Sequence, residues 1–86
     1  DIIDENLLYA LGSRMKISRQ IGEYKKNNNI AILQTSRWDA VLAKVIEKGK
    51  EYNLSEDFIK AVFNAIHEAS VEVQNEVISG KREEQQ

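Results

Sequence analysis

Apolar and small residues recur at helical spacing through the first third of the chain: Ile3, Leu7, Ala10, Leu11, Ile17, Ser18, Ile21 and Tyr24 share one stripe of a helix predicted over residues 1–27. The run Asn27, Asn28, Asn29 interrupts that pattern. A second periodic segment, with Trp38, Val41, Leu42, Val45 and Ile46 on one face, predicts a helix over about 36–52, and Ser36 and Asp39 stand at the spacing of a capping box. The third segment carries Phe58, Ile59, Val62, Phe63, Ile66, Ala69, Val73 and Val77 and predicts a helix over 55–79. Its start is well marked. Ser55 can accept from the first free N–H groups, Glu56 and Asp57 lie at the positive end of the dipole, and Leu54 can staple onto Ile59. Gly80 suits a C-terminal cap, and the polar KREEQQ tail at 81–86 follows. With no proline and long windows of helix formers, the fold class is all-α: one three-helix domain over 1–86 with a long first helix.

That first helix changes the picture most. At 1.5 Å per residue it extends roughly 40 Å, longer than a single 86-residue chain can cover. A second copy of the chain is the simplest cover, so an intertwined homodimer is expected. The stripe is already under way at Ile3 and the sequence lacks an initial methionine, which reads as a fragment whose first helix begins earlier. The absence of cysteine removes disulfides and thiolate metal sites, and a cytoplasmic location is the default. Apolar runs of four or five residues are far short of a membrane span. A net charge of -2 argues against a broad nucleic-acid footprint, although basic residues gather between Arg14 and Lys26.

Several polar residues fall on apolar faces. Arg14 lies on the stripe of helix one, seven residues after Leu7 and seven before Ile21, and is expected to point inward. Lys25 follows eleven residues later, three turns plus about 20°, so both cations share a face about 16 Å apart along the axis and can bracket a small molecule. Ser70 and Gln74 sit one turn apart on helix three beside Ala69 and Val73, in the same stretch as His67. A buried cation requires an anion, and helix one supplies no inward acid, so a ligand can fill that role. The alternative is that Arg14 and Lys25 snorkel to the surface or pair with acids across a dimer interface. Likewise Ser70 and Gln74 can be ordinary polar groups at a helix contact, His67 a partly buried or interface histidine, and Lys16, Arg19 and Lys26 a solvated face.

The sequence contains no Gly-rich phosphate loop, no HExxH, no nucleophile elbow and no Ser/His/Asp set. If the chain is an enzyme, its chemistry is expected to rest on binding, orientation and charge stabilisation, with no covalent nucleophile, metal or cofactor.

The order of these features resembles the AroQ-type chorismate mutases. The segment IDENLLYALGSRMKISRQIGEYK carries Asp4, Leu7, Leu8, Arg14, Ile21, Gly22 and Lys25 in that family's first-helix register, QTSRW supplies Arg37, and ASVEVQ supplies Ser70 and Gln74. The resemblance implies an intertwined dimer of three-helix chains that rearranges chorismate to prephenate in aromatic amino acid biosynthesis. It further implies that Arg14 clamps a substrate carboxylate with Ser70 assisting, that Lys25 binds a carboxylate and the ether oxygen, and that Gln74 donates to the same oxygen. Arg37 corresponds to the family's helix-two arginine. Two departures stand out. A further family arginine falls three residues before Asp1, and Gln34 and Trp38 replace acids that commonly flank the helix-two arginine and help bind the ring hydroxyl, a task a backbone group near Gln34 can still serve. Two other readings remain open: an isochorismate pyruvate-lyase on the same fold, and a noncatalytic regulatory or docking module of a fused aromatic-pathway enzyme.

Overall fold

A computed structural model describes residues 1–32 and 35–80, with the side chains of 35 and 36 excluded. Three helices account for the regular structure among these residues: α1 (Ile2–Asn28), α2 (Thr35–Lys50) and α3 (Glu56–Ser79). The all-α expectation holds.

The helix ends follow local chemistry. The Asp1 carboxylate accepts from the Ile3 N–H at 3.2 Å, and Asp4 and Glu5 in the first turn with Lys25 and Lys26 in the last complement the dipole of α1. Asn29 stops the helix in the left-handed region, φ 54°, which asparagine tolerates better than most residues. At the end of α2 the Leu54 N–H reaches back to the Gly49 carbonyl at 3.0 Å, with Asn53 at φ 60° making the turn. The Ser55 hydroxyl then accepts from the Phe58 N–H at 3.2 Å, the cap predicted for α3, and Gly80 closes α3 at φ 75°. Two expectations shift. Because α2 already begins at Thr35, Ser36 is its second residue rather than its cap, and α2 ends at Lys50, short of 52, where the Gly49–Leu54 turn takes over the last carbonyls.

The described residues divide into two compact units, and α3 contributes its first half to one and its second half to the other. In the first unit, residues 1–32 and 68–80, α1 and α3 run in the same direction where they touch: Ser18 meets Ser70, Gly22 faces Gln74, and the Lys26 ammonium reaches the Val77 carbonyl at 3.4 Å. A side chain on Gly22 would come within 3.1 Å of the Gln74 Cα, so the bare backbone of α1 sets how closely α3 packs. In the second unit, residues 35–67, α2 and α3 form an antiparallel pair. There a side chain on Gly49 would lie 2.9 Å from the Ile59 Cγ1, and Trp38 stacks on His67 with ring centroids 4.0 Å apart and planes 11° from parallel. His67 is half-buried, as expected of a packing histidine.

The large apolar residues of α1 are not the buried ones. Ile3, Leu7, Ile17, Ile21 and Tyr24 are exposed in the single chain, while Ser18 and Gly22 are buried, because a close helix contact selects small residues. Only Ile59 and Val77, 4% and 8% exposed, are buried hydrophobic residues among those described. On this basis Ile59→Ala is expected to destabilise the fold by about 2–4 kcal/mol, lowering Tm by roughly 10 °C or more in thermal denaturation at matched protein concentration. An unchanged Tm would show that Ile59 is not a core residue.

The exposed pair Lys60–Glu56, 3.0 Å apart, adds little to this. Its hydrogen bond and charge hold the Glu56 carboxyl below its ordinary range and the Lys60 ammonium above its own. Its small contribution therefore fades only when pH falls through the lowered carboxyl value or rises through the raised ammonium value, and it persists through neutrality.

Candidate active site

The α1–α3 contact brings Ser18 and Gly22 of α1 against Ser70 and Gln74 of α3. Ser18 lies one turn after Arg14, and its hydroxyl donates to the Arg14 carbonyl at 2.9 Å. The same hydroxyl is in hydrogen-bond contact with that of Ser70, and the Gln74 amide nitrogen donates to the Ser70 oxygen at 3.1 Å. Ser18 and Gln74 are 5% and 6% exposed. The Gln74 Oε1 is buried and meets no donor among the described residues. An orphaned buried acceptor costs about 1–3 kcal/mol, and groups in this state concentrate where a ligand or catalytic role compensates.

Hydrogen counting explains which end of the amide faces Ser70. If Ser18 spends its one hydrogen on the Arg14 carbonyl, the Ser70 hydrogen goes to Ser18, and the Ser70 oxygen is left as an acceptor. An amide N–H satisfies that oxygen and a carbonyl does not. The Gln74 Nε2 is therefore held against Ser70, and its second N–H remains for something else.

Lys25, three turns after Arg14 on α1, is half-buried, and its ammonium donates to the Ile32 carbonyl at 2.9 Å, tying the segment after α1 back onto the helix. That bond fixes where the ammonium sits. Arg14 departs from expectation. Its side chain is exposed rather than inward, since the α3 contact is centred on Ser18 and Gly22, a turn further on. Within one chain, then, no burial cost demands an anion beside the Arg14 side chain, and its backbone carbonyl joins the buried network. Arg37, in the first turn of α2, is exposed and belongs to the other unit. Gln34 lies outside the described residues.

The structure thus brings Ser70 and Gln74 together, places Lys25 on the same helix as Arg14, and adds one residue the pattern hid. Ser18 counted only as a small member of the stripe. Its signal was a hydroxyl four residues after an arginine on a face where alanine would pack equally well. Among the described residues no group of three or more His, Cys, Asp or Glu is placed to hold a metal ion, and no helix is long and apolar enough to cross a membrane.

Comparison with known proteins bears on this geometry. The family model for chorismate mutase type II matches residues 1–75. The bifunctional chorismate mutase/prephenate dehydratase of Buchnera aphidicola subsp. Acyrthosiphon pisum is 34% identical over 76 residues, covering 88% of this chain and 20% of that protein. Its namesake from subsp. Schizaphis graminum is 34% identical over 77 residues, covering 90% and 20%, and that from subsp. Baizongia pistaciae is 30% identical over 78 residues, covering 91% and 21%. The chain spans about a fifth of the length of these curated relatives. No solved structure matches the chain significantly.

Proposed function

The chain belongs to the chorismate mutase type II family, and from that premise we propose that it catalyses the rearrangement of chorismate to prephenate without metal, cofactor or covalent intermediate. The observation that carries this reading is the buried Gln74 amide, fixed on Ser70 with an N–H to spare, on the helix pair that also bears Lys25 and Arg14. In the rearrangement a C–O bond breaks as a C–C bond forms, and negative charge grows on the ether oxygen. Donors preplaced at that oxygen stabilise the transition state more than the ground state. Lys25 and Gln74 are assigned this task. Arg14 binds a substrate carboxylate through its planar fork, with Ser70 assisting, and anchoring both carboxylates holds the flexible ether in its compact reactive conformer. Arg37 and Gln34 are assigned to substrate binding on the family pattern alone.

The active form proposed is a homodimer in the cytoplasm. The exposed apolar row Ile3, Leu7, Leu8, Ile17 and Ile21 on α1 supports the dimer, because so small a buried core leaves this surface to be covered by a partner, and a second copy is the commonest one. The relatives pair mutase with prephenate dehydratase in one protein, and the same pairing is proposed here, the second activity consuming the product of the first.

Incubating the chain with chorismate and, separately, with isochorismate and identifying the products tests the assignment. Prephenate from chorismate is expected; salicylate and pyruvate from isochorismate would assign a lyase instead, and no turnover of either would leave a noncatalytic module. The neutral amide of Gln74 has a further consequence. Gln74→Glu is expected to give activity that falls as pH rises through the titration of the new carboxyl, since only the protonated acid can donate to the ether oxygen, whereas the parent protein shows no such fall from residue 74. A pH–rate profile of both proteins checks this, and coincident profiles would remove Gln74 from the ether oxygen.

A further inference from the structure

We propose that Ser18 is a positioning residue that keeps the Gln74 amide nitrogen turned toward Ser70 both before and after a ligand binds. The inference rests on the assignment of Gln74 as a donor to substrate and goes beyond it, to a residue outside the substrate's reach.

The Ser18 hydroxyl has two acceptors within range, the Arg14 carbonyl and the Ser70 oxygen. In the structure its hydrogen goes to Arg14, the Ser70 hydrogen goes to Ser18, and Gln74 donates into the Ser70 oxygen. When an anionic group arrives beside Ser70, the Ser70 hydrogen turns to it and the Ser18 hydrogen swings to the Ser70 oxygen. That oxygen has two lone pairs, so it accepts from Ser18 and from Gln74 together. In both arrangements Ser70 presents oxygen, never hydrogen, to residue 74. The amide stays in one orientation and its second N–H keeps one direction.

Remove the Ser18 hydroxyl and this order is lost. The Ser70 hydrogen then has an alternative acceptor close by, the unmet Oε1 of Gln74, reached by turning the amide over. The gain from satisfying that buried oxygen drives the reversal, and the N–H meant for the ligand points elsewhere. Ser18 is buried at the helix contact and its substitution by alanine removes one oxygen from a helix interior, where alanine is well tolerated.

The test compares the parent chain, Ser18→Ala, Ser18→Thr, Gln74→Ala and the double variant Ser18→Ala/Gln74→Ala by steady-state kinetics on chorismate, with NMR of the Gln74 side-chain amide. Ser18→Ala is expected to lower kcat about tenfold, the equivalent of one misdirected hydrogen bond, with KM changed far less. Ser18→Thr, which keeps the hydroxyl, restores most of the rate. In the Gln74→Ala background the same substitution has no further effect. Without substrate, one Gln74 amide proton exchanges more slowly than its twin in the parent chain, and the amide resonances move in Ser18→Ala. A full kcat in Ser18→Ala, an equal loss in the Gln74→Ala background, or two Gln74 protons of equal exchange rate in the parent would each overturn the proposal. If the parent chain fails to turn over chorismate, the functional assignment falls, while the amide spectra still decide the role of Ser18.

Discussion

Lys25→Ala is expected to lower kcat/KM for chorismate by about 10³-fold or more, with most of the loss in kcat. The reason lies in where charge appears. A neutral hydrogen-bond donor aimed at a developing oxyanion is worth roughly 10²–10³ in rate, and a cation in a half-buried setting exceeds it. Lys25 has that setting, with its stem along α1 and one hydrogen already committed to the Ile32 carbonyl, which fixes the ammonium in place before substrate arrives. Since the ether oxygen carries little charge in the ground state, the deletion affects the transition state far more than substrate binding. Lys25→Arg recovers little, because a flat guanidinium cannot deliver a point charge to the same spot. Far-UV circular dichroism and sedimentation of the variant separate this loss from release of the Ile32 segment. Near-normal turnover by a folded Lys25→Ala would remove Lys25 from the chemistry.

Leu7→Asp is expected to abolish the dimer and, with it, the cooperative fold. Leu7 lies in the first half of α1, where Ile2, Ile3, Leu8 and Tyr9 are also exposed in the single chain. Only Ile59 and Val77 are buried apolar residues of the chain among those described, so in the proposed dimer the covering of α1 by a partner supplies much of the stabilisation. A carboxylate placed in that interface faces burial without a cation, which is strongly unfavourable. Sedimentation and thermal melts at several protein concentrations report the outcome: the parent sediments as a dimer whose Tm rises with concentration, and the variant is monomeric and largely unfolded. A variant with unchanged mass and Tm would mean that this face of α1 is solvated.

Much of this was legible in the sequence because its signals are local. Helical period, the Ser55 cap, the asparagine stop at Asn29 and the Gly80 terminus depend on neighbours within a turn or two, and each appears where the pattern put it. Ser70 and Gln74 stood out as polar residues on an apolar face, and the structure joins them by one hydrogen bond while leaving the Gln74 Oε1 without a donor among the described residues. What the pattern hid depends on how far one helix overlaps another. The stripe of α1 does not say which of its residues face α3, so Arg14 read as inward although Ser18, a turn later, is the residue buried against Ser70. Close approach also reverses the usual reading of size, burying Gly22 and Ser18 in place of Ile17 and Ile21.

The most direct measurement is proton NMR of chorismate incubated with the purified chain in the presence of a metal chelator and no added cofactor. Mutase activity predicts one-for-one replacement of chorismate signals by those of prephenate, at a rate proportional to protein concentration and on the order of 10⁶-fold above the uncatalysed reaction. Decay of chorismate at its uncatalysed rate, or a product other than prephenate, would contradict it.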